Sequence, residues 1–126
     1  MEINEKNLSI GVDIEEISRF RKKSRHYWQK IFTPKEIRYC QTKKNAAGHF
    51  AGRFAAKEAI IKALFGLGIQ NLTYQDLEIS NTLKGEPYLE SSKKLKNKMR
   101  KNVIIKISIS HSANSALAFS VAVKSD

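Results

Sequence analysis

Two carboxylates 45 positions apart, Asp13 and Glu58, and the cations clustered around the second of them are the residues in this sequence best equipped for chemistry. Residues four apart on a helix share a face, so Phe54, Glu58 and Lys62 form one stripe, which Phe65 continues. An exposed Glu58–Lys62 ion pair would account for that spacing at a few tenths of a kcal/mol. Asp13 is harder to account for. It lies between Val12 and Ile14 in the apolar, β-branched run "LSIGVDI", where an unpaired charge is expensive. Two partners meet the need: a salt bridge to Arg19, Lys57 or Lys62, or a Mg²⁺ ion bound by one or two carboxylates, with water and substrate phosphates completing its shell. In the second case Arg53, Lys57 and Lys62 are placed to neutralise phosphate charge. Spacing alone leaves both open.

The elements that must position these residues can be read from pattern. Leu8 to Ile14 reads as a buried strand with an acid near its end. "EEISRFRKKSRHYWQKIF" repeats apolar residues at helical spacing and reads as one or two short basic helices. Thr33-Pro34-Lys35-Glu36 is a capping box with Pro at the first helical position, opening a helix to about Thr42, and Lys43 to Ala47 follows as a turn. "HFAGRFAAKEAIIKALFGLG" is the longest helix, ended by Gly66 and Gly68. "LTYQDLEISN" and "GEPYLE" read as strands, Ser91 to Arg100 as a basic helix, and "VIIKISIS" and "ALAFSVAV" as an antiparallel pair. This order predicts an α+β fold: one domain over residues 1–126, with a largely antiparallel sheet packed on a long central helix.

The whole chain narrows the partners. The 126 residues carry 23 Lys and Arg against 12 Asp and Glu, a net charge of +11, and such an excess attracts polyanions. No stretch reaches the roughly 20 apolar residues of a membrane span, and the N-terminus does not read as a secretory signal. With a single cysteine, Cys40, these features predict a cytoplasmic protein with no internal disulfide and no cysteine-built zinc site. His26 and His49 read as surface or packing histidines, since Mg²⁺ prefers oxygen.

Gly11-Val12-Asp13 and the later Phe54-Ala55-Ala56-Lys57-Glu58-Ala59-Ile60-Ile61-Lys62 together resemble the two-part signature of the phosphopantetheinyl transferases. Ala51-Gly52-Arg53 and Ser108-Ile109-Ser110-His111-Ser112 are similar to the short, single-domain branch of that superfamily, the holo-acyl-carrier-protein synthases, over about Ile10 to Val123. Several separated motifs in order are more specific than any one alone. The resemblance implies that Asp13 and Glu58 hold Mg²⁺ against the pyrophosphate of coenzyme A, and that Lys62 sits at the scissile phosphoanhydride. It gives Glu58 and Lys62 catalytic roles and assigns cofactor contacts to Arg53, Lys57, Lys62, Lys84, Gly85, Pro87 and His111. A serine of an apo acyl carrier protein would attack the β-phosphorus in line, releasing 3′,5′-ADP. Either Glu58 or a water on the metal takes the serine proton.

By the same resemblance Arg19, with Lys22 and Arg25 nearby, docks the acidic carrier, and the +11 charge steers it. Lys23 stands in the same run. The short branch resembles half of its two-lobed relatives, which implies a homotrimer with sites between neighbours. Two other classes compete on composition: a small nucleic-acid-binding protein, with basic residues near Phe20, Tyr27 and Trp28, and a membrane-surface adaptor. The first lacks any zinc, RRM, KH or helix-turn-helix signature, and its acids would repel phosphates; the second would need apolar residues that the core requires. The reading therefore expects neither nucleic acid nor membrane as partner.

Overall fold

In the computed structural model, which describes residues 3–22 and 24–125, the first strand β1 (Leu8–Glu16) is two residues longer than its apolar run. A 3-10 turn (Ile17–Phe20) leads to α1 (Arg25–Ile31), which Ser24 caps by accepting the Tyr27 amide. The basic segment is thus one turn and one short helix, and Lys23 lies outside the described residues. The predicted capping box is present at the start of α2 (Pro34–Gln41). The long helix α3 (Ala46–Phe65) begins earlier than its Ala-rich run suggests, because the Asn45 side chain accepts the Gly48 amide at 3.1 Å and caps the turn before it.

The segment expected as one strand over 72–81 is mostly not extended. Thr73 and Asp76 form their own capping box around a 3-10 turn (Tyr74–Asp76), leaving only β2 (Ile79–Asn81) to pair with β3 (Pro87–Leu89). Here local side-chain hydrogen bonds outcompete the ladder that the alternating pattern suggested. After α4 (Lys93–Met99), β4 (Val103–His111) and β5 (Ser115–Lys124) form the expected antiparallel hairpin. β5 sits between β4 and β1, so the main sheet runs β1-β5-β4, entirely antiparallel.

Alternation gives this sheet two unlike faces. Its inner face carries Ser9, Gly11, Asp13 and Glu15 on β1 and Ala116, Ala118, Ser120 and Ala122 on β5. Against it lie Ala55, Ala56, Ala59 and Ala63 of α3, all fully buried. Small residues on both sides let helix and sheet approach closely, and Gly11 marks the limit: a Cβ there would lie 2.0 Å from the Ala59 carbonyl oxygen and 2.9 Å from the Ala63 nitrogen. The outer face is apolar and open, with Leu8, Ile10, Val12 and Ile14 on β1 beside Leu117 and Phe119 on β5, all exposed.

The core has two parts, and α3 contributes to both. One packs Ala59, Ile60, Leu64, Leu77, Ile79 and Leu95 around the inner face. The other is aromatic: Trp28 stacks on Phe50 with centroids 4.2 Å apart and on Phe20 at 5.8 Å, beside Phe32 and Phe54. No helix among the described residues is long and apolar enough to cross a membrane.

Because backbone atoms fill the space a Gly11 side chain would need, Gly11→Ala is expected to cost about 3 kcal/mol or more. Urea denaturation monitored by Trp28 fluorescence measures this, and a loss below about 1 kcal/mol would show that the helix–strand crossing is looser than drawn.

Candidate active site

The close crossing of α3 over β1 sets the first half of the site. Asp13 comes two residues after Gly11 on the same inner face, and Glu58 and Lys62 stand one helical turn apart on α3. Lys62 Nζ donates to the Val12 carbonyl at 2.9 Å and lies 3.5 Å from Asp13 Oδ1. The salt bridge left open by the sequence therefore exists, to Lys62 rather than to Arg19 or Lys57. It does not satisfy the aspartate, because Asp13 Oδ2 is buried with no hydrogen-bond partner. An orphaned carboxylate oxygen in that position is costly unless a cation completes it.

Glu58 accepts the hydroxyl of Tyr74 at Oε1. Burial, and then the Glu58 carboxylate, push the Tyr74 phenol up to about 12. A third acid, Glu15, lies on the same strand face as Asp13. It is nearly buried and bridges Arg19 Nη1 at 2.6 Å. Burial first, and then the neighbouring Asp13 carboxylate, push Glu15 up to about 7 against the opposing pull of Arg19. The excess of negative charge suits a divalent cation. No group of three or more His, Cys, Asp or Glu side chains stands in a metal-ligating arrangement among the described residues. Two carboxylates, such as Asp13 and Glu58, are the number Mg²⁺ uses when substrate oxygens fill the rest of its shell.

The second half is a cavity of about 240 Å³ between α2, α3, β4 and the β2–β3 turn, lined by Tyr39, His49, Arg53, Asn81, Gly85, Pro87 and His111 among others. Arg53 is buried beneath it. Its Nη2 donates to Asn81 Oδ1 at 2.6 Å, its guanidinium lies 4.1 Å from the Tyr39 ring centroid, and its Nε is buried without a partner. His111 Nε2 lies 3.1 Å from the Gly48 carbonyl oxygen, and the His49 and His111 rings are 6.3 Å apart. Gly52 makes room for the His111 ring, since a Cβ there would lie 2.9 Å from Nε2. Burial, and then the charge of Arg53, hold His49 below its usual range, so it enters this pocket mainly neutral. A buried guanidinium with an unused donor, flanked by two imidazoles, is suited to an anionic oxygen.

The predicted residues divide accordingly. Arg53, Gly85, Pro87 and His111 meet in the cavity, and Asp13, Glu58 and Lys62 meet at the crossing. Lys84 is exposed in the β2–β3 turn and does not line the cavity. Arg19, Lys22 and Arg25 are exposed around the first 3-10 turn and the start of α1, with Arg19 tied to Glu15. Lys57 is corrected. It is fully buried, paired with Glu36 at 2.8 Å, and donates to the carbonyls of Tyr74 and Leu77 at 2.7 and 2.9 Å. Three partners use its three donors, leaving none for a phosphate. His49, read as a packing residue, instead lines the cavity. The sequence reading also missed Tyr39, Asn81, Tyr74 and Glu15. Of these only Glu15 had a signal, its two-residue spacing from Asp13 in a strand that runs past Ile14.

Comparison with known proteins gives the arrangement a context. The family described as the 4′-phosphopantetheinyl transferase superfamily matches residues 9–119. A holo-[acyl-carrier-protein] synthase of Clostridium tetani is 40% identical over 119 residues, covering 90% of this chain and 94% of the relative. One from Protochlamydia amoebophila is 43% identical over 119 residues, covering 90% and 96%. Among solved structures, the Helicobacter pylori holo-[acyl-carrier-protein] synthase in complex with coenzyme A is 35% identical and superposes with a TM-score of 0.73, over 92% of this chain and 99% of that one. The Bacillus anthracis enzyme in complex with CoA (3′,5′-ADP) is 32% identical, with a TM-score of 0.74 over 94% and 96%.

The correction of Lys57 can be measured. Removing one member of a buried ion pair strands the other, so Lys57→Met is expected to lower unfolding stability by about 3–5 kcal/mol. A phosphate-binding surface lysine would shift it by less than about 0.5 kcal/mol, and chemical denaturation separates the two.

Proposed function

The chain belongs to the 4′-phosphopantetheinyl transferase superfamily, and we propose that it moves the 4′-phosphopantetheine arm of coenzyme A onto a serine of apo acyl carrier protein, releasing 3′,5′-ADP. The observation that carries this reading at the level of chemistry is the convergence of Asp13, Glu58 and Lys62, with Asp13 Oδ2 buried and unsatisfied.

Asp13 and Glu58 would hold Mg²⁺, whose charge, when it is bound, stabilises the pyrophosphate as negative charge shifts to the leaving group. Lys62 supplies a second cation at the same point. Its ammonium is already anchored by the Val12 carbonyl, which leaves donors for a phosphate oxygen without a large reorganisation. In the transfer the serine oxygen forms a bond to the β-phosphorus, the bond from that phosphorus to the bridging oxygen breaks, and the serine proton is lost to a base. Arg53 and His111, with Gly85 and Pro87 shaping the wall, fit the phosphate and ribose end of the cofactor. Positioning of the two reactants then supplies much of the acceleration.

The two halves stand at opposite edges of the sheet. Glu15 pairs with Ala116 on β5, which pairs with His111 on β4, so Glu15 and His111 are about 10 Å apart across two strand spacings, and Asp13 stands two residues further along β1. A homotrimer relates these edges between neighbours: the metal edge of one copy meets the cavity edge of the next, and the apolar outer face of β1 and β5 is covered. Exposed apolar surface of this kind in a chain of +11 charge supports such an assembly. The carrier would dock on Arg19, Lys22 and Arg25, exposed cations whose removal should slow association more than chemistry. Cys40, free and buried, is compatible with the cytoplasm, where carrier and cofactor would meet.

Incubation with Mg²⁺, coenzyme A and apo acyl carrier protein should add one phosphopantetheine arm, seen by mass spectrometry. Asp13→Ala and Glu58→Ala are each expected to lower kcat/KM by at least about 100-fold, with the circular dichroism spectrum retained. Full activity in either variant would remove the metal assignment. For the assembly, Val12→Lys places a charge on the open face opposite Phe119 and is expected to convert a trimer to monomers in sedimentation velocity. A wild-type protein that sediments as a monomer would overturn the trimer.

A further inference from the structure

The hydroxyl of Tyr74 reaches Glu58 Oε1, and nothing in the transfer described above uses it. Packing does not account for it either. The ring lies against Phe54, one helical turn before Glu58, with centroids 5.3 Å apart, and a phenylalanine would make the same contact without a donor.

The position of the hydroxyl is imposed by several elements. The Tyr74 carbonyl accepts from Lys57 Nζ at 2.7 Å, and Lys57 immediately precedes Glu58 on α3. The 3-10 turn that carries Tyr74 is closed by the Thr73 amide donating to Asp76 Oδ2 at 2.8 Å. Asp76 is held in turn by Lys98 at 2.8 Å and Lys94 at 3.7 Å, both from α4. Backbone and side chain of one residue are therefore both fastened to the helix that carries the glutamate, and the turn behind them is clamped from α4. Such an arrangement restricts where the phenol can point.

A neutral donor has a particular use here. Asp13, Glu15 and Glu58 crowd negative charge around the crossing, so a further acid would add repulsion and a cation would compete with the metal. A phenol O–H does neither. It occupies one oxygen of the carboxylate and orients the group, as outer hydrogen-bond partners of metal-binding carboxylates do.

We propose that Tyr74 is a positioning residue of the metal site, holding the Glu58 carboxylate in its metal-binding orientation by donating to Oε1 and leaving Oε2 for the ion. This rests on the reading that Asp13 and Glu58 bind Mg²⁺. It predicts that the turn over 73–76, remote in sequence from both carboxylates, sets the metal affinity of the enzyme.

The test uses the full chain with Mn²⁺ as probe, free Mn²⁺ being counted by its EPR signal in the presence of coenzyme A. Tyr74→Phe is expected to raise the Mn²⁺ dissociation constant about tenfold and to raise the Mg²⁺ concentration for half-maximal transfer by a similar factor. Thermal unfolding in EDTA supplies the contrast: a merely structural tyrosine would lower the melting temperature and leave Mn²⁺ affinity alone. If Tyr74→Phe binds Mn²⁺ within about twofold of wild type while Glu58→Gln and Asp13→Asn lose it, the positioning role is overturned and the metal site stands. If Glu58→Gln and Asp13→Asn also bind like wild type, the metal site lies elsewhere and both readings fall.

Discussion

Gly11 has no room for a side chain: an added Cβ would sit 2.0 Å from the carbonyl oxygen of Ala59. This contact between the backbone of a strand and that of a helix is the constraint on which the rest of the molecule depends. It requires alanines along the facing surfaces of α3 and β5, which explains why the helix is apolar and small there rather than built from large aliphatics. It also places Asp13 beside Lys62 and in the same crowd of carboxylates as Glu58. A looser crossing would cover the same apolar area and separate the charged groups.

A second network fastens what the crossing does not reach. Lys57 and Glu36 are both fully buried and paired at 2.8 Å, and each makes further bonds that offset its desolvation. Glu36 accepts the Thr33 and Ile79 amides, and Lys57 donates to the carbonyls of Tyr74 and Leu77. One ion pair thus ties α2, α3, the 3-10 turn and β2 together. Its cost is high if broken and modest if complete, a property suited to holding a loop against a helix where too few apolar residues are available. The turn so held presents Tyr74 to Glu58, so the buried pair bears on the candidate active site from a distance.

The two faces of the main sheet serve different ends. The inner face buries small residues and two acids against α3, and the outer face leaves a row of large apolar residues uncovered. The charge follows another division: Asp13, Glu15 and Glu58 gather at the crossing, whereas many basic residues of the first turn, α1 and α4 lie outward. An anionic cofactor and an acidic carrier would meet a positive field on approach, and at the crossing a cluster of carboxylates that a metal can bridge.

Much of this was legible in the sequence. Thr33-Pro34-Lys35-Glu36 specified a helix start because capping is a local interaction, and the hairpin of β4 and β5 followed from alternation around a polar turn. The spacing of Glu58 and Lys62 on one helical stripe, and the oddity of Asp13 in an apolar strand, stood out in the sequence, which left a salt bridge and a metal site both open. Tertiary structure decided what depends on who faces whom. It joined Lys62 to Asp13, left one oxygen of that aspartate without a partner, buried Lys57 where its spacing suggested a phosphate ligand, and brought His49 to the cavity beside His111. It also turned the first part of "LTYQDLEISN" from expected strand into a capped turn that presents Tyr74 to Glu58, and left only Ile79–Asn81 extended. Periodicity records which face of an element a residue occupies; it carries no record of what the fold packs against that face, and a buried charge takes its role from its partners.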